Sequence, residues 1–348
     1  MNSEPEILFD RKGAAGIVTL NRPKALNALT HDMVRKLASK LDIWKADDAV
    51  TRVIIRANGE RAFCAGGDLR GVTVRGKEKE ALVFFSDEYR LNAAIKRYPK
   101  PYIALIDGIV MGGGVGVSVH GSHRIAGEKF QFAMPEVGIG FFPDVGGTWM
   151  LPRLKGKIGT FCALTGERLK AADGMGAGVC THYISAKRFP DLTEALCGNV
   201  SVDATIAAFA EPVLGGDIEA RKEAIDRLFA GGQVEDILAA LDREAASGGE
   251  NAAWAGKIAA IVRTKSPTSL RIALEQMKRG AQWTFEECMK AEYRIVSRVL
   301  YEHDFYEGVR AAIVDKDNKP QWRPARLSDV APEMVEGYFA PLAEELPL

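Results

Sequence analysis

The chain has no net charge: 46 Lys and Arg balance 46 Asp and Glu over 348 residues. A nucleic-acid-binding protein usually carries a basic excess, so no nucleic-acid partner is expected. Cysteine is scarce. Cys64, Cys162, Cys180, Cys197 and Cys288 are odd in number and form no C-x-x-C pair, which argues against a disulfide framework or a zinc site and for a reducing, cytoplasmic setting. His31, His120, His123, His182 and His303 are scattered without ligand spacing, so no metal is expected. Long apolar runs are missing too. The longest, from Tyr102 to Val119, contains Asp107 and five glycines, which suits a buried strand-turn-helix and not a membrane span. The N-terminus Met1-Asn2-Ser3-Glu4-Pro5-Glu6 lacks the basic-then-apolar order of a signal peptide.

Glycine, by contrast, comes in clusters. Ala62-Phe63-Cys64-Ala65-Gly66-Gly67-Asp68-Leu69 follows the strand-like run 51–56, and Met111-Gly112-Gly113-Gly114-Val115-Gly116 follows the strand-like run 102–106. Glycines at strand ends let the backbone turn sharply and let a ligand approach bare peptide N–H groups. Where such a turn opens a helix, those N–H groups have no partner inside it and favour negative charge. Two turns of this kind can cradle one oxyanion. Cys64 lies within the first turn. No histidine is near it in sequence, which favours a small buried side chain over a nucleophile.

Further along, Ile7–Phe9 and Ile17–Leu20 read as strands joined at Lys12-Gly13, and Thr30 as the N-cap of a helix whose apolar positions are Val34, Leu37, Leu41 and Trp44. A second helix is expected over 77–97, with Ala81, Phe84, Phe85, Leu91 and Ile95 on its core face and Glu88 and Asn92 on that same face. A carboxylate there either snorkels at the edge or has a shifted pKa. Strands follow at 124–126 and 130–133. Next comes Met134-Pro135-Glu136-Val137-Gly138-Ile139-Gly140-Phe141-Phe142-Pro143-Asp144-Val145-Gly146-Gly147, loop-like yet too apolar to lie exposed. Two acids in such surroundings suit general acid–base work, or else cap backbone N–H groups. Helices are expected at 155–165 and 168–176, a short strand near 179–183, and helical runs to about 312. Residues 200–265 carry no cluster that suggests chemistry and read as a helical insertion or docking module.

These motifs together (62–68, the Gly112-Gly113-Gly114 turn, 135–140 and 143–147) resemble the crotonase, or enoyl-CoA hydratase/isomerase, superfamily over about residues 7–190. Asp87–Asn92, Met111–Arg124 and Asp304–Asp317 are similar to its 3-hydroxyisobutyryl-CoA hydrolase subgroup. The resemblance implies an α/β fold, a spiral of ββα units carrying the active site in 1–199, with a mainly helical region over 200–348. It implies an acyl-CoA substrate whose thioester oxygen is received by the amides of Gly67 and Gly113, with no separate cofactor. Glu136 would be the acid that attacks the thioester or activates water. Asp144 and Glu88 would line the acyl pocket, and Lys24-Ala25-Leu26 with Ala65-Gly66-Gly67-Asp68 would contact CoA. Lys316 and Lys319 are weaker candidates for its phosphates.

One departure bears on the reaction. Hydratases of this superfamily carry a second glutamate three residues after the central glycine of the second turn, and this chain has Gly116 there. Hydration then loses half of its acid–base pair, whereas hydrolysis does not need it, because a thiolate (thiol pKa about 8.5) leaves without strong protonation. The expectation is therefore hydrolysis of a short 3-hydroxyacyl-CoA, 3-hydroxyisobutyryl-CoA of valine breakdown. The alternatives are a hydratase or isomerase using Glu136 with Asp144, and a catalytically silent CoA-binding scaffold. The superfamily's trimers make a homo-oligomer one outcome, unless residues 200–265 block that packing.

Overall fold

The computed structural model describes residues 4–74, 79–213 and 215–348. Residues 1–3 of the N-terminal reading and residues 77–78 of the expected helix 77–97 lie outside the described residues. Two compact units result. One comprises 1–68, 87–132 and 168–219, and the other 69–86, 133–167 and 220–348.

The first unit holds the sheets. Its strands, in chain order, are β1 (Ile7–Lys12), β2 (Ala15–Leu20), β3 (Arg52–Ala57), β4 (Ala62–Cys64), β5 (Tyr102–Ile106), β6 (Ile109–Met111), β7 (His123–Ala126), β8 (Gln131–Ala133), β9 (Leu169–Lys170) and β10 (His182–Tyr183). They form a six-stranded sheet in the order β1-β2-β3-β5-β7-β10 and a four-stranded sheet in the order β4-β6-β8-β9. β1 and β2 are an antiparallel hairpin; β2, β3, β5, β7 and β10 run parallel. Three times the chain lays one strand in the large sheet and the next in the small one, at β3–β4, β5–β6 and β7–β8. The order within each sheet is the same, so each circuit is displaced by one strand from the last.

β-Branched residues suit these buried strands. Ile17, Ile54 and Ile103 stand side by side in the register. With Leu105, Ile125 and Ile184 they form a core cluster against Leu192, Leu196, Val202 and Ile206. The last four lie on helices Phe189–Leu196 and Val202–Phe209. The chain just past residue 200 therefore packs within the first unit. Buried Asp173 fastens the end of this stretch, accepting the Ile218 N–H at 2.8 Å. Helix His31–Ala46 starts where expected, with Thr30 Oγ1 accepting the Met33 N–H, and buries Val34, Leu37, Leu41 and Trp44.

Three details differ from the sequence reading. The glycine turns are not entered from the strands at 51–56 and 102–106; β4 and β6 intervene, too short to show a period. Leu169–Lys170 pairs with β8 before the helix Ala171–Ala177 begins. Helical structure also continues past 312, through a π-helical turn over Arg310–Val314 to a helix at Pro332–Phe339.

The second unit is mostly helical. Helices Val234–Ala246, Ala252–Arg263, Pro267–Gly280, Phe285–Val299 and His303–Val309 succeed one another on short connections. Thr284 and Glu287 form a capping box at the start of the fourth. Phe141 anchors the segment 134–147, its ring 4.5 Å from Phe142, 5.2 Å from Phe305 and 5.5 Å from Phe85. Gly140 has φ +67°, and a Cβ there would run into the carbonyl of Asp304. Only glycine lets the loop lie this close to helix His303–Val309.

Candidate active site

In the first unit the two glycine turns are neighbours because their strands are. β4 and β6 pair in parallel, Ala62 with Ile109 and Cys64 with Val110. Parallel strands end on the same side of a sheet, so the turns after Cys64 and Met111 emerge together. A Cβ on Gly113 would come within 3.3 Å of the Gly67 nitrogen, and one on Gly66 within 4.0 Å of the Gly113 nitrogen. Gly66 (φ +117°) and Gly112 (φ +44°) adopt conformations that disfavour a side chain.

The orientation of each amide follows from its bonding. Gly67 forms an isolated parallel bridge with Leu29, in which Leu29 N–H binds the Gly66 carbonyl (2.8 Å) and Asp68 N–H binds the Leu29 carbonyl (2.9 Å). In a parallel bridge the flanking groups make the bonds, so the N–H of Gly67 itself points away from Leu29. Gly113 is the first residue of the short helix Gly113–Gly116, where the earliest backbone bonds into the turn are donated by Val115 and Gly116. Its N–H thus belongs to the set that a helix leaves without an internal partner.

Glu88 adjoins this pair. It is 2% exposed, and a Cβ on Gly113 would run into its Oε1. The core-facing position read from spacing therefore places a carboxyl group beside the Gly113 turn. Asn92, one helical turn on, is fully buried. Lys24 and Ala25 are exposed and Leu26 half-buried, and the loop reaches the first turn through the Ala65 N–H on the Leu26 carbonyl, 3.0 Å. Asp68 is tied to Arg22 Nη2 at 3.1 Å, and Arg22 Nε also binds Glu6 at 2.8 Å. Gly116 is buried. Cys64 is buried as well, and desolvation pushes its thiol up to about 12, unsuited to nucleophilic attack.

The second unit holds the other two acids. Glu136 opens the 3-10 turn Glu136–Ile139 and is 6% exposed, with no hydrogen-bond partner for Oε2 among the described residues. Burial first, then repulsion from Asp144, pushes its carboxyl well above the usual range. Asp144 is 4% exposed, and its carbonyl accepts the Gly147 N–H at 2.7 Å. Val145, a β-branched residue, has φ +50°, a strained conformation of the kind concentrated at functional sites.

The sequence reading did not single out a third acid, although it lies four residues from both Cys288 and Val296 on an apolar helical face. Glu292, on helix Phe285–Val299, is fully buried and accepts the N–H groups of Gly146 (2.8 Å) and Thr148 (2.9 Å). Desolvation, with a contribution from Asp144, raises its carboxyl to about 8, although the two N–H bonds favour the anion. Lys316 and Lys319 lie exposed beside Asp315 and Asp317, which pair with Arg310. Among the described residues no cluster of three His, Cys, Asp or Glu could hold a metal, and no helix is long and apolar enough to cross a membrane.

The enoyl-CoA hydratase/isomerase pattern matches residues 15–339. The chain belongs to this family. It is an enzyme of the family similar to 3-hydroxyisobutyryl-CoA hydrolases: the mitochondrial one of Danio rerio is 45% identical over 351 residues, covering 97% of this chain and 90% of the relative. Among solved structures, one named a carnitinyl-CoA dehydratase from Mycobacterium thermoresistibile has a TM-score of 0.93 at 43% identity, covering 99% of both chains. Another, named an enoyl-CoA hydratase from Rhodobacter sphaeroides 2.4.1, has a TM-score of 0.90 at 40% identity, covering 99% of this chain and all of the other. The expected α/β crotonase-like spiral with its helical C-terminal region is thus the fold of the chain.

Proposed function

We propose that the protein hydrolyses the thioester of a short 3-hydroxyacyl-CoA, with 3-hydroxyisobutyryl-CoA of valine breakdown as the foremost substrate. The likeness to 3-hydroxyisobutyryl-CoA hydrolases supports the class. The observation that carries hydrolysis over hydration is Gly116, a buried glycine where a second glutamate would be needed.

In this reading the thioester oxygen accepts hydrogen bonds from the Gly67 and Gly113 amides, which gain strength as charge develops on it. Glu136 supplies the attack, either as nucleophile forming a mixed anhydride or as base on water. Its desolvated carboxylate is more reactive than an exposed one at the moment it is ionised. The CoA thiolate departs without a dedicated acid. Asp144 and Glu88 orient the 3-hydroxyl and assist proton transfer. Lys24–Leu26 and Ala65–Asp68 contact CoA mainly through the main chain.

The names of the two solved structures support a second reading, addition or removal of water at an acyl-CoA. One experiment separates them. Thiol release from 3-hydroxyisobutyryl-CoA is followed with a thiol reagent, beside hydration of crotonyl-CoA, for the natural enzyme and for Glu136→Gln. Hydrolysis predicts thiol release that Glu136→Gln cuts by about 10³-fold. Hydration of crotonyl-CoA with no free thiol would replace this reading with the second one.

A further inference from the structure

The turn that carries Asp144 is held from a distance. Glu292 uses both carboxyl oxygens on it: Oε2 accepts the Gly146 N–H at 2.8 Å and Oε1 the Thr148 N–H at 2.9 Å. Gln276, on helix Pro267–Gly280, donates from Nε2 to the Pro143 carbonyl at 2.8 Å and to Thr148 Oγ1 at 2.7 Å. Both side chains are fully buried. Four groups between Pro143 and Thr148 are therefore fixed by two residues that lie more than 125 positions further along the chain.

Stability alone is a poor reason for this arrangement. A buried carboxyl is costly to ionise, and an apolar side chain of similar volume usually serves a core at least as well. Here the acid stands beside another acid, Asp144, which further disfavours its charge. What the arrangement does secure is the backbone from Asp144 to Gly147, where Val145 (φ +50°) and Gly146 (φ +86°) both occupy the left-handed region. Glycine takes this conformation freely, but a β-branched residue at positive φ persists only when its surroundings over-determine it. Two N–H acceptors after Asp144 and one donor before it provide that constraint.

We propose that Glu292 and Gln276 are positioning residues for catalysis: they hold the turn that presents the Asp144 carboxyl and influence thioester hydrolysis through it. The proposal rests on the reading in which Asp144 assists hydrolysis. A misplacement of about 1 Å in a reacting group can cost about 10²-fold in rate, so the effect belongs in kcat.

The test is a mutant cycle on the full chain, with kcat and KM for thiol release from 3-hydroxyisobutyryl-CoA and thermal melting recorded for every variant. Glu292→Gln keeps the shape but sets an NH2 against one of the two N–H donors. Gln276→Met keeps the volume and removes both donated bonds. Each is made alone and together with Asp144→Asn. The proposal expects Glu292→Gln to lower kcat roughly 10- to 100-fold with KM changed less than about threefold. It expects Gln276→Met to lower kcat about tenfold, and either change to add less than about twofold in the Asp144→Asn background. Should Glu292→Gln fail to fold, the Gln276→Met cycle carries the same test. Multiplicative losses in the double variants, or folded single variants with lower melting temperature and full kcat, would overturn it. Full kcat in Asp144→Asn alone would remove the underlying reading of Asp144 and the proposal with it, and that failure is visible in a different protein sample.

Discussion

The glycine turns of the first unit and the acid turn of the second are both built from backbone in unusual conformations, yet they present opposite chemistry. At Gly67 and Gly113 there is no side chain, and in the proposed reading the peptide N–H groups meet the substrate. At Glu136 and Asp144 the proposed reading gives that part to the side chains, while buried Glu292 and Gln276 bind backbone groups around Asp144. The first arrangement is assembled by strand pairing between β4 and β6. The second is assembled by side chains reaching in from helices Pro267–Gly280 and Phe285–Val299. Main-chain donors are set by the fold itself, whereas buried acids need supporting residues that can be altered one at a time.

The acid turn should yield the largest single loss. Glu136→Gln is expected to cut thiol release by about 10³-fold while binding of the CoA ester persists, measured by steady-state kinetics and by calorimetry with a nonhydrolysable CoA thioether. The glycine turns should come next. Gly113→Ala sets a methyl group into Glu88 Oε1 and within 3.3 Å of the Gly67 nitrogen, so kcat should fall about 10²-fold, near the cost of losing one oxyanion donor. An alanine variant with natural turnover would separate these amides from the chemistry.

A smaller effect should appear in the pH profile. Burial and then Asp144 disfavour the Glu136 anion, so activity that needs this anion must rise with pH through a carboxyl displaced upward. Asp144→Asn removes the repulsion and keeps the burial. The acidic limb of kcat/KM in its residual activity should then move to lower pH; an unmoved or upward-moved limb would contradict the coupling of the two acids. Least of all should Cys64→Ala matter to turnover. Its thiol is buried and pushed to about 12, so kcat should stay within about twofold while stability falls by about 1 kcal/mol, as read by thermal melting.

The same contrast explains what could be read from the chain in advance. Strands β1, β2, β3, β5 and β7 announce themselves through short apolar runs, β-branched in β2 and β3, and the helix after Thr30 through its cap and period. The glycine turns are visible because only glycine tolerates their conformations and close approaches. β4 and β6 escaped notice as separate strands, being three residues each, and with them went the reason the two turns lie together. Glu88 was legible as a carboxyl on a core-facing stripe, and Glu136 and Asp144 as acids in an apolar loop. Glu292 was not, although it too is an acid on an apolar helical face, between Cys288 and Val296. Its partners are backbone N–H groups 144 and 146 positions away, and no periodicity within one helix records such a contact.

The pairing of β4 with β6 has a consequence for how this catalyst can diversify. The turns that carry Gly67 and Gly113 leave neighbouring strands of one ladder, which lie roughly 4.8 Å apart, so side-chain substitutions within those turns do little to bring the turns together or apart. In the proposed reading, new acyl preferences come from the replaceable groups around these amides.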